Sequence, residues 1–182
     1  MRLVYHAVLP EPSSANRSLA VGQLLVFDSK YSLRASVAAV SGLPGDCSSR
    51  NFWEYGRSSI PPGIYTVLTE LAPVSPNLRA AMGEYKLIIK PDYVTDGRVH
   101  RGLFRIHLDA GYLGTEGCIG IMRDTERKPL MSVTLLSDML RSEGEKEVML
   151  SVRYEVWDAK DLSTTYYGED YRPVRAAEGG GV

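Results

Sequence analysis

Residues 147–156 read Glu-Val-Met-Leu-Ser-Val-Arg-Tyr-Glu-Val, and this stretch decides the fold class. Every second residue is apolar, and the set comprises Val148, Leu150, Val152, Tyr154 and Val156. Successive side chains of a strand point to opposite faces, so this period of two predicts a strand with one buried face. The same alternation over residues 31–39 predicts a second such strand, with Tyr31, Leu33, Ala35, Val37 and Ala39 on its core face.

Shorter apolar runs complete a β-rich pattern around these two strands. We expect further strands at 2–9, 24–27, 64–69, 85–90, 103–108 and 119–122. One principal helix is expected over 129–142, with Pro129 in its first turn and Val133, Leu136 and Leu140 on its buried face. A shorter helix is expected near residues 76–82. The predicted fold class is mainly β, a β-rich α+β arrangement with one principal helix packed on the sheet.

Length and composition fit one globular domain. The chain has 182 residues, of which 44% are hydrophobic. Its 21 Lys and Arg residues are balanced by 22 Asp and Glu residues, so the net charge is −1. This balance disfavours a nucleic-acid partner, which needs a basic excess. We assign residues 1–157 to a single domain and residues 158–182, which lack a periodic apolar face, to a C-terminal appendage or partner-binding tail.

Three simple observations bear on the compartment. Two cysteines in a chain of this length are not a disulfide framework. No apolar run approaches about 18 residues, so no membrane span is expected. The first ten residues are apolar but short, are interrupted by His6 and lack a small-residue cleavage site, so we expect no signal peptide.

The chemistry-bearing residues fall within residues 103–123, which read LFRIHLDAGYLGTEGCIGIMR. Alternation along the predicted strand places Phe104, Ile106 and Leu108 on its apolar face and Arg105, His107 and Asp109 on the other. A turn rich in glycine then leads to Cys118 and a second apolar run. A strand, a turn and a strand of this length can bring His107 and Cys118 side by side.

A cysteine beside a histidine is a workable nucleophile and base. A free thiol has a pKa of about 8.5, so it needs a neighbouring base or cation to react at neutral pH. Backbone N–H groups of the Gly117–Cys118 turn are placed to stabilise an oxyanion, and Thr115 to hydrogen-bond within the turn or to a substrate. In the alternative interpretation, both residues are structural. A zinc site would need further ligands; His100 is available, but Cys47 is remote and is interpreted as an incidental thiol. We expect no metal and no other cofactor.

His107 followed by Thr115-Glu116-Gly117-Cys118-Ile119 resembles the active-site signature of the L,D-transpeptidase (YkuD-like) catalytic domain. Other stretches agree in order: the hairpin 23–42, the turn Ile60-Pro61-Pro62-Gly63-Ile64-Tyr65, the helix 129–142 and the strand 147–156. The resemblance covers roughly residues 20–157. The chain departs from the family pattern in four ways. Glu116 replaces a common His, and Gly120 replaces a common Asn or Arg. Leu108-Asp109 follows the histidine where a small residue is common, and the gap from His107 to Thr115 is shorter than usual. A variant group found in interbacterial effectors and phage proteins keeps a more similar turn.

The resemblance implies an L,D-transpeptidase-like β-sandwich or sheet carrying a peptidoglycan-modifying enzyme. Cys118 would be the acyl nucleophile, His107 its activator and Gly117 part of the oxyanion hole, with hydrolysis or exchange of peptide stems as the outcome. The absence of a recognisable signal peptide favours synthesis in the cytoplasm and delivery to the periplasm or cell wall by a virion or a secretion apparatus. A virion or secretion-apparatus partner is therefore expected beside the peptidoglycan stem itself.

Substrate recognition is expected around the same cleft. Peptidoglycan stems carry carboxylates, which need cations, so we assign Arg105 and Arg123 to substrate binding, together with Asp109 and Glu116. The long loops 41–63 and 91–102 carry aromatic and basic residues that would help to form the cleft; alternatively, the aromatics form a satellite core. Two competing functions remain: a non-catalytic structural or wall-binding protein that keeps the fold, and a cytosolic thiol enzyme acting on a small amide.

Overall fold

The computed structural model describes residues 1–9, 20–43, 52–53, 58–111, 113–158 and 163–167. The strands are β1 (Arg2–Leu9), β2 (Ala20–Phe27), β3 (Leu33–Ser41), β4 (Gly63–Leu68), β5 (Ala72–Pro73), β6 (Tyr85–Lys90), β7 (Tyr93–Thr95), β8 (His100–Gly102), β9 (Arg105–Leu108), β10 (Ile119–Ile121), β11 (Glu147–Asp158) and β12 (Ser163–Tyr167). The helices are α1 (Arg79–Met82), preceded by a 3-10 turn at Pro76–Leu78, and α2 (Val133–Arg141). The expectation of a mainly β protein with one principal helix is confirmed.

The main sheet closes on itself. Its strands follow the order β1-β2-β3-β10-β9-β6-β4-β11, and β11 then pairs with β1 to complete the ring. Most neighbours are antiparallel, but β1 with β11 and β9 with β10 run parallel. Closure removes the exposed edges that an open sheet would present. It also gives each strand of the ring an inner and an outer face, which is what positions the functional residues.

Aliphatic and aromatic side chains from all the ring strands fill the interior. Tyr5, Tyr65 and Tyr154 are almost completely buried there. Each donates its hydroxyl to a backbone carbonyl, at 2.7 to 2.8 Å, so none leaves a polar atom unsatisfied. The rings of Tyr5 and Tyr154 meet edge to face at 6.1 Å. These contacts tie strands that are far apart in the sequence.

The principal helix is shorter than predicted. It begins at Val133, because the side chain of Ser132 accepts a hydrogen bond from the N–H of Leu135 and caps the first turn. The prediction that Pro129 lies in the first turn is wrong, since Pro129 instead forms a bridge with Arg123. The predicted apolar face is confirmed: Val133, Leu136 and Leu140 are buried in the core, and α2 packs on β6 and β9.

Three further expectations need correction or extension. Tyr31 and Leu33 are exposed, because Tyr31 lies in the β2–β3 turn with a φ of 63°, and only the later part of β3 is buried. The predicted loop 91–102 contains the hairpin β7–β8. The segment assigned to an appendage contains β12, which pairs with the end of β11. Neither α1, α2 nor the 3-10 turn has the length and apolar character that a bilayer-spanning helix needs.

The docking of α2 can be tested with two neighbouring leucines. Leu136 is fully buried, whereas Leu135 is 52% exposed. We expect Leu136→Ala to lower the free energy of unfolding by about 2–5 kcal/mol, because it leaves a cavity. Leu135→Ala should change it by no more than about 0.5 kcal/mol. Urea denaturation followed by circular dichroism measures both; equally small losses would contradict the docking of α2 on the core.

Candidate active site

The predicted catalytic residues lie on the outer face of the β9–β10 pair. In the parallel register Ile106 lies beside Ile119, and both point into the core. The next pair, His107 and Gly120, therefore points to the opposite face. Cys118 immediately precedes β10, in the position beside Arg105. His107 and Cys118 thus share one face and are offset by two residues, a separation of about 7–8 Å between backbone positions.

The connection over residues 109–118 folds back over this face. Asp109 anchors its start: its N–H donates to the carbonyl of Ile121 at 2.9 Å, and its carboxylate accepts the N–H of Gly114 at 3.2 Å. Thr115 anchors its end, since its N–H donates to the carbonyl of Gly42 at 2.8 Å. The Thr115 hydroxyl donates to the carbonyl of Cys118 and so closes the turn.

Gly120 makes room for this connection. A Cβ at Gly120 would lie 2.8 Å from the Thr115 methyl group and 3.0 Å from the Cβ of Asp109. Distances this short require the neighbours to move. Glycine at this position therefore lets Thr115 and Asp109 pack directly on the strand.

His107 is held as a neutral base. It is only 5% exposed, and its Nδ1 lies 2.9 Å from the carbonyl oxygen of Leu108. A carbonyl oxygen can only accept, so Nδ1 carries the proton and Nε2 keeps its lone pair. Burial lowers the pKa of His107, as does the cation of Lys86 on the adjacent strand, against the opposing effect of the Leu108 carbonyl. The neutral imidazole is the favoured form at neutral pH.

Cys118 is a free, partly exposed thiol. Loss of water around the sulfur raises its pKa to about 11. The backbone N–H of Arg105 and the cations of Arg105 and Arg101 oppose that rise, whereas Glu116 adds to it. The thiol is therefore protonated at rest, and no hydrogen bond joins its sulfur to the imidazole of His107 in this structure. Unliganded sites often show such long distances and tighten only around a substrate.

The remaining predicted residues take distinct places. Gly117 is buried with a φ of 101°, whereas Glu116 is exposed. Arg105 is partly buried, and its Nη1 donates to the carbonyl of Phe104 at 2.6 Å. Asp109 is buried; burial raises its pKa, opposed by the Gly114 N–H and by Arg123. The structure thus brings Thr115, Gly117, Cys118, Arg105 and Glu116 together, with Asp109 holding the connection.

Arg123 lies close enough to Asp109 for its charge to act on that carboxylate. Its Nε is buried without a hydrogen-bond partner among the described residues. Of the aromatic residues assigned to the 41–63 loop, Phe52 joins the main core rather than a satellite core and packs on Tyr154 at 5.0 Å. Cys47 and Tyr55 lie outside the described residues.

Sequence reasoning missed the importance of Arg101, which was expected only as a basic residue of a loop. It is 2% exposed and lies directly beneath the Gly117–Cys118 turn. The signal that could have found it is its position in an alternating segment, where Val94 and Arg101 pair across β7–β8 and are both buried. Across the described ranges, no cluster of three or more His, Cys, Asp and Glu side chains could hold a metal ion.

The resting state of the thiol can be measured directly. In a Cys47→Ala background, we expect the rate of Cys118 alkylation by iodoacetamide to rise with pH through neutrality and to reach half of its plateau only near pH 11, because the thiol pKa is about 11. A plateau reached below pH 7 would indicate a preformed thiolate–imidazolium pair and would contradict the neutral pair. Mass spectrometry of the alkylated peptide identifies the thiol that reacts.

Comparisons with known proteins found no match to this chain, whether among family models, curated proteins or solved structures. The likeness to L,D-transpeptidases therefore rests on the residues quoted from the sequence.

Proposed function

We propose that the protein is a cysteine-dependent enzyme that modifies the peptide stems of peptidoglycan through a thioacyl-enzyme intermediate. One observation carries this proposal. His107 presents an unprotonated Nε2 on the same sheet face as Cys118, and Cys118 stands at the end of a glycine turn. A base, a nucleophile and a backbone turn that could stabilise an oxyanion are the three parts that acyl transfer needs.

The neutral resting pair dictates how the reaction starts. Nε2 of His107 takes the thiol proton as Sγ of Cys118 attacks the carbonyl carbon of the stem, and a tetrahedral oxyanion forms. Backbone N–H groups of the Gly117–Cys118 turn stabilise that oxyanion. When it collapses, the C–N bond breaks, and the proton on Nε2 passes to the leaving amine.

The thioacyl group is then passed to an acceptor. Water or an amine attacks the thioester carbonyl, gives its proton to Nε2, and Cys118 leaves and recovers that proton. Transfer to water makes the enzyme an L,D-carboxypeptidase or endopeptidase, and transfer to an amine makes it an L,D-transpeptidase. The turn carries Glu116 at its exposed tip, in the place where an acceptor would approach.

Recognition of the stem falls to the cations around the thiol. Arg105 lies close enough to Cys118 to act on its pKa, and Arg123 has a donor with no described partner. Either would suit a stem carboxylate. Peptidoglycan lies in the periplasm or cell wall, so the proposed enzyme acts there. We propose that a virion or a secretion apparatus delivers it.

A second candidate is a structural or wall-binding protein that keeps the fold without turnover. The high pKa of Cys118 and the missing hydrogen bond to His107 favour it. The two candidates differ in whether stems are chemically changed, so product analysis separates them.

Removing the nucleophile should abolish turnover. Purified muropeptides incubated with the wild-type protein should give products of changed mass, and Cys118→Ala should give none while remaining folded by circular dichroism. His107→Ala should lower kcat by about a hundredfold or more, because the thiol loses its base. Cys47→Ala is the control and should be unaffected. Intact substrate with the wild type would favour the binding protein, and loss with Cys47→Ala would move the nucleophile to that thiol.

The cations can be tested with paired substrates. We expect Arg105→Ala and Arg123→Ala, made singly, to raise the KM for a stem peptide with a free carboxylate by roughly tenfold. The amidated analogue should be affected far less, and Arg127→Ala, an exposed arginine nearby, should affect neither. Equal losses with both peptides would mean that these arginines are structural.

A further inference from the structure

Arg101 fastens a distant segment of the chain to the site. Its Nη1 donates to the carbonyls of Phe52 and, at 2.5 Å, of Ser59. Its Nη2 donates to the carbonyl of Ser58 at 2.8 Å, and the guanidinium lies 5.4 Å from the centre of the Phe104 ring. One side chain thus joins β8, the residues around 52 and 58–59, and the start of β9.

The other side of the same guanidinium faces the cysteine turn. A Cβ at Gly117 would lie 2.3 Å from Nη2 of Arg101 and 3.3 Å from the carbonyl oxygen of Ser58. Only glycine therefore fits here, and the φ of 101° imposes the same choice. Nη2 of Arg101 therefore lies directly against the backbone of Gly117.

The charge of Arg101 has no carboxylate partner among the described residues. Three of its five N–H donors are bonded to carbonyls, which are neutral acceptors and do not neutralise the charge. Burial lowers the pKa of Arg101, and the nearest group outside the core tyrosines whose negative form would offset this is Cys118. A buried cation without an anion is costly, so a negative charge that forms nearby is stabilised by it.

We propose that Arg101 is a positioning residue for the Cys118 thiol: it holds the Gly117–Cys118 turn against Phe52, Ser58 and Ser59, and it keeps a fixed positive charge beside the turn that carries the sulfur. The inference deepens the proposed function and rests on it for any effect on turnover. Its effect on the thiol itself is independent of the substrate. Since His107 is neutral at rest, Arg101 and Arg105 are the cations that favour the thiolate.

The first experiment measures the thiol without any substrate. In the Cys47→Ala background, Arg101→Met removes the charge and keeps the length of the side chain. We expect alkylation of Cys118 by iodoacetamide at pH 7 to slow by roughly threefold or more, with the pH profile displaced upward, because the thiol pKa rises. Arg101→Lys keeps the charge and should restore most of the wild-type profile. Arg34→Met, an exposed arginine on β3, is the control and should not change it.

The second experiment separates charge from positioning. Arg101→Lys lacks the planar fork that holds three carbonyls, so the turn should be less well held although the thiol stays near its wild-type pKa. We expect kcat for muropeptides to fall in both Arg101 variants, by more in Arg101→Met, with KM nearly unchanged. A folded Arg101→Met protein with the wild-type alkylation profile would overturn the inference, and so would wild-type kcat in both variants.

The two proposals fail in different ways. A wild-type protein that turns over no stem refutes the proposed function, while the alkylation profile still decides the electrostatic role of Arg101. Should Arg101→Met not fold, Gly117→Ala approaches the same contact from the turn, because its Cβ displaces the guanidinium. A folded Gly117→Ala protein should show the same upward displacement; an unchanged profile there would overturn the inference.

Discussion

The parallel pairing of β9 with β10 is the constraint on which the site depends. Two parallel neighbours need a connection that returns along the whole length of the pair, and such crossovers usually take a dozen or more residues and a helix. Here residues 109–118 make the return. The connection is short, and Asp109 and Thr115 hold its two ends against the sheet. Cys118 is the last residue of this connection and lies immediately before β10.

The outer face of the β9–β10 pair is nevertheless poorly solvated at His107. This side chain points away from the core, and an outward residue on a barrel strand would ordinarily meet water. It is only 5% exposed, and burial favours the neutral forms of both the imidazole and the thiol. Proton transfer between them then creates two charges in a place with little solvent. Preorganised N–H groups and fixed cations count for more there than they would at an open surface.

Local patterns predicted local structure well. The bounds of β1 and β6 follow from their apolar runs, and α2 buries the face that its spacing indicates, because each depends on residues within one turn or one strand. Closure of the ring could not be predicted. It joins β1 to β11, whose paired residues lie far apart in the sequence. The alternation of apolar residues within a strand does not indicate which other strand it pairs with. The predicted start of α2 at Pro129 is wrong for a related reason, since Pro129 forms a backbone bridge with Arg123 across a loop.

The candidate site shows the same contrast between what local sequence predicts and what contacts between distant residues decide. His107, Thr115, Gly117 and Cys118 could be proposed together because they occupy one segment and carry chemically distinctive side chains. The sequence does not indicate that Arg101 belongs to the site, because its partners are backbone carbonyls. Every residue possesses a carbonyl, and no sequence pattern marks the ones that bind an arginine.

The free-energy cost of burying a charge nonetheless distinguishes Arg101 from an ordinary core residue. An apolar side chain of similar volume commonly stabilises a buried site as well as an ion does, so the fold has no need of a charge there. Three carbonyls need donors, and a neutral donor would serve them. What a neutral donor cannot supply is a potential at the sulfur, and the guanidinium lies where that potential acts on the one group nearby that must become an anion to react.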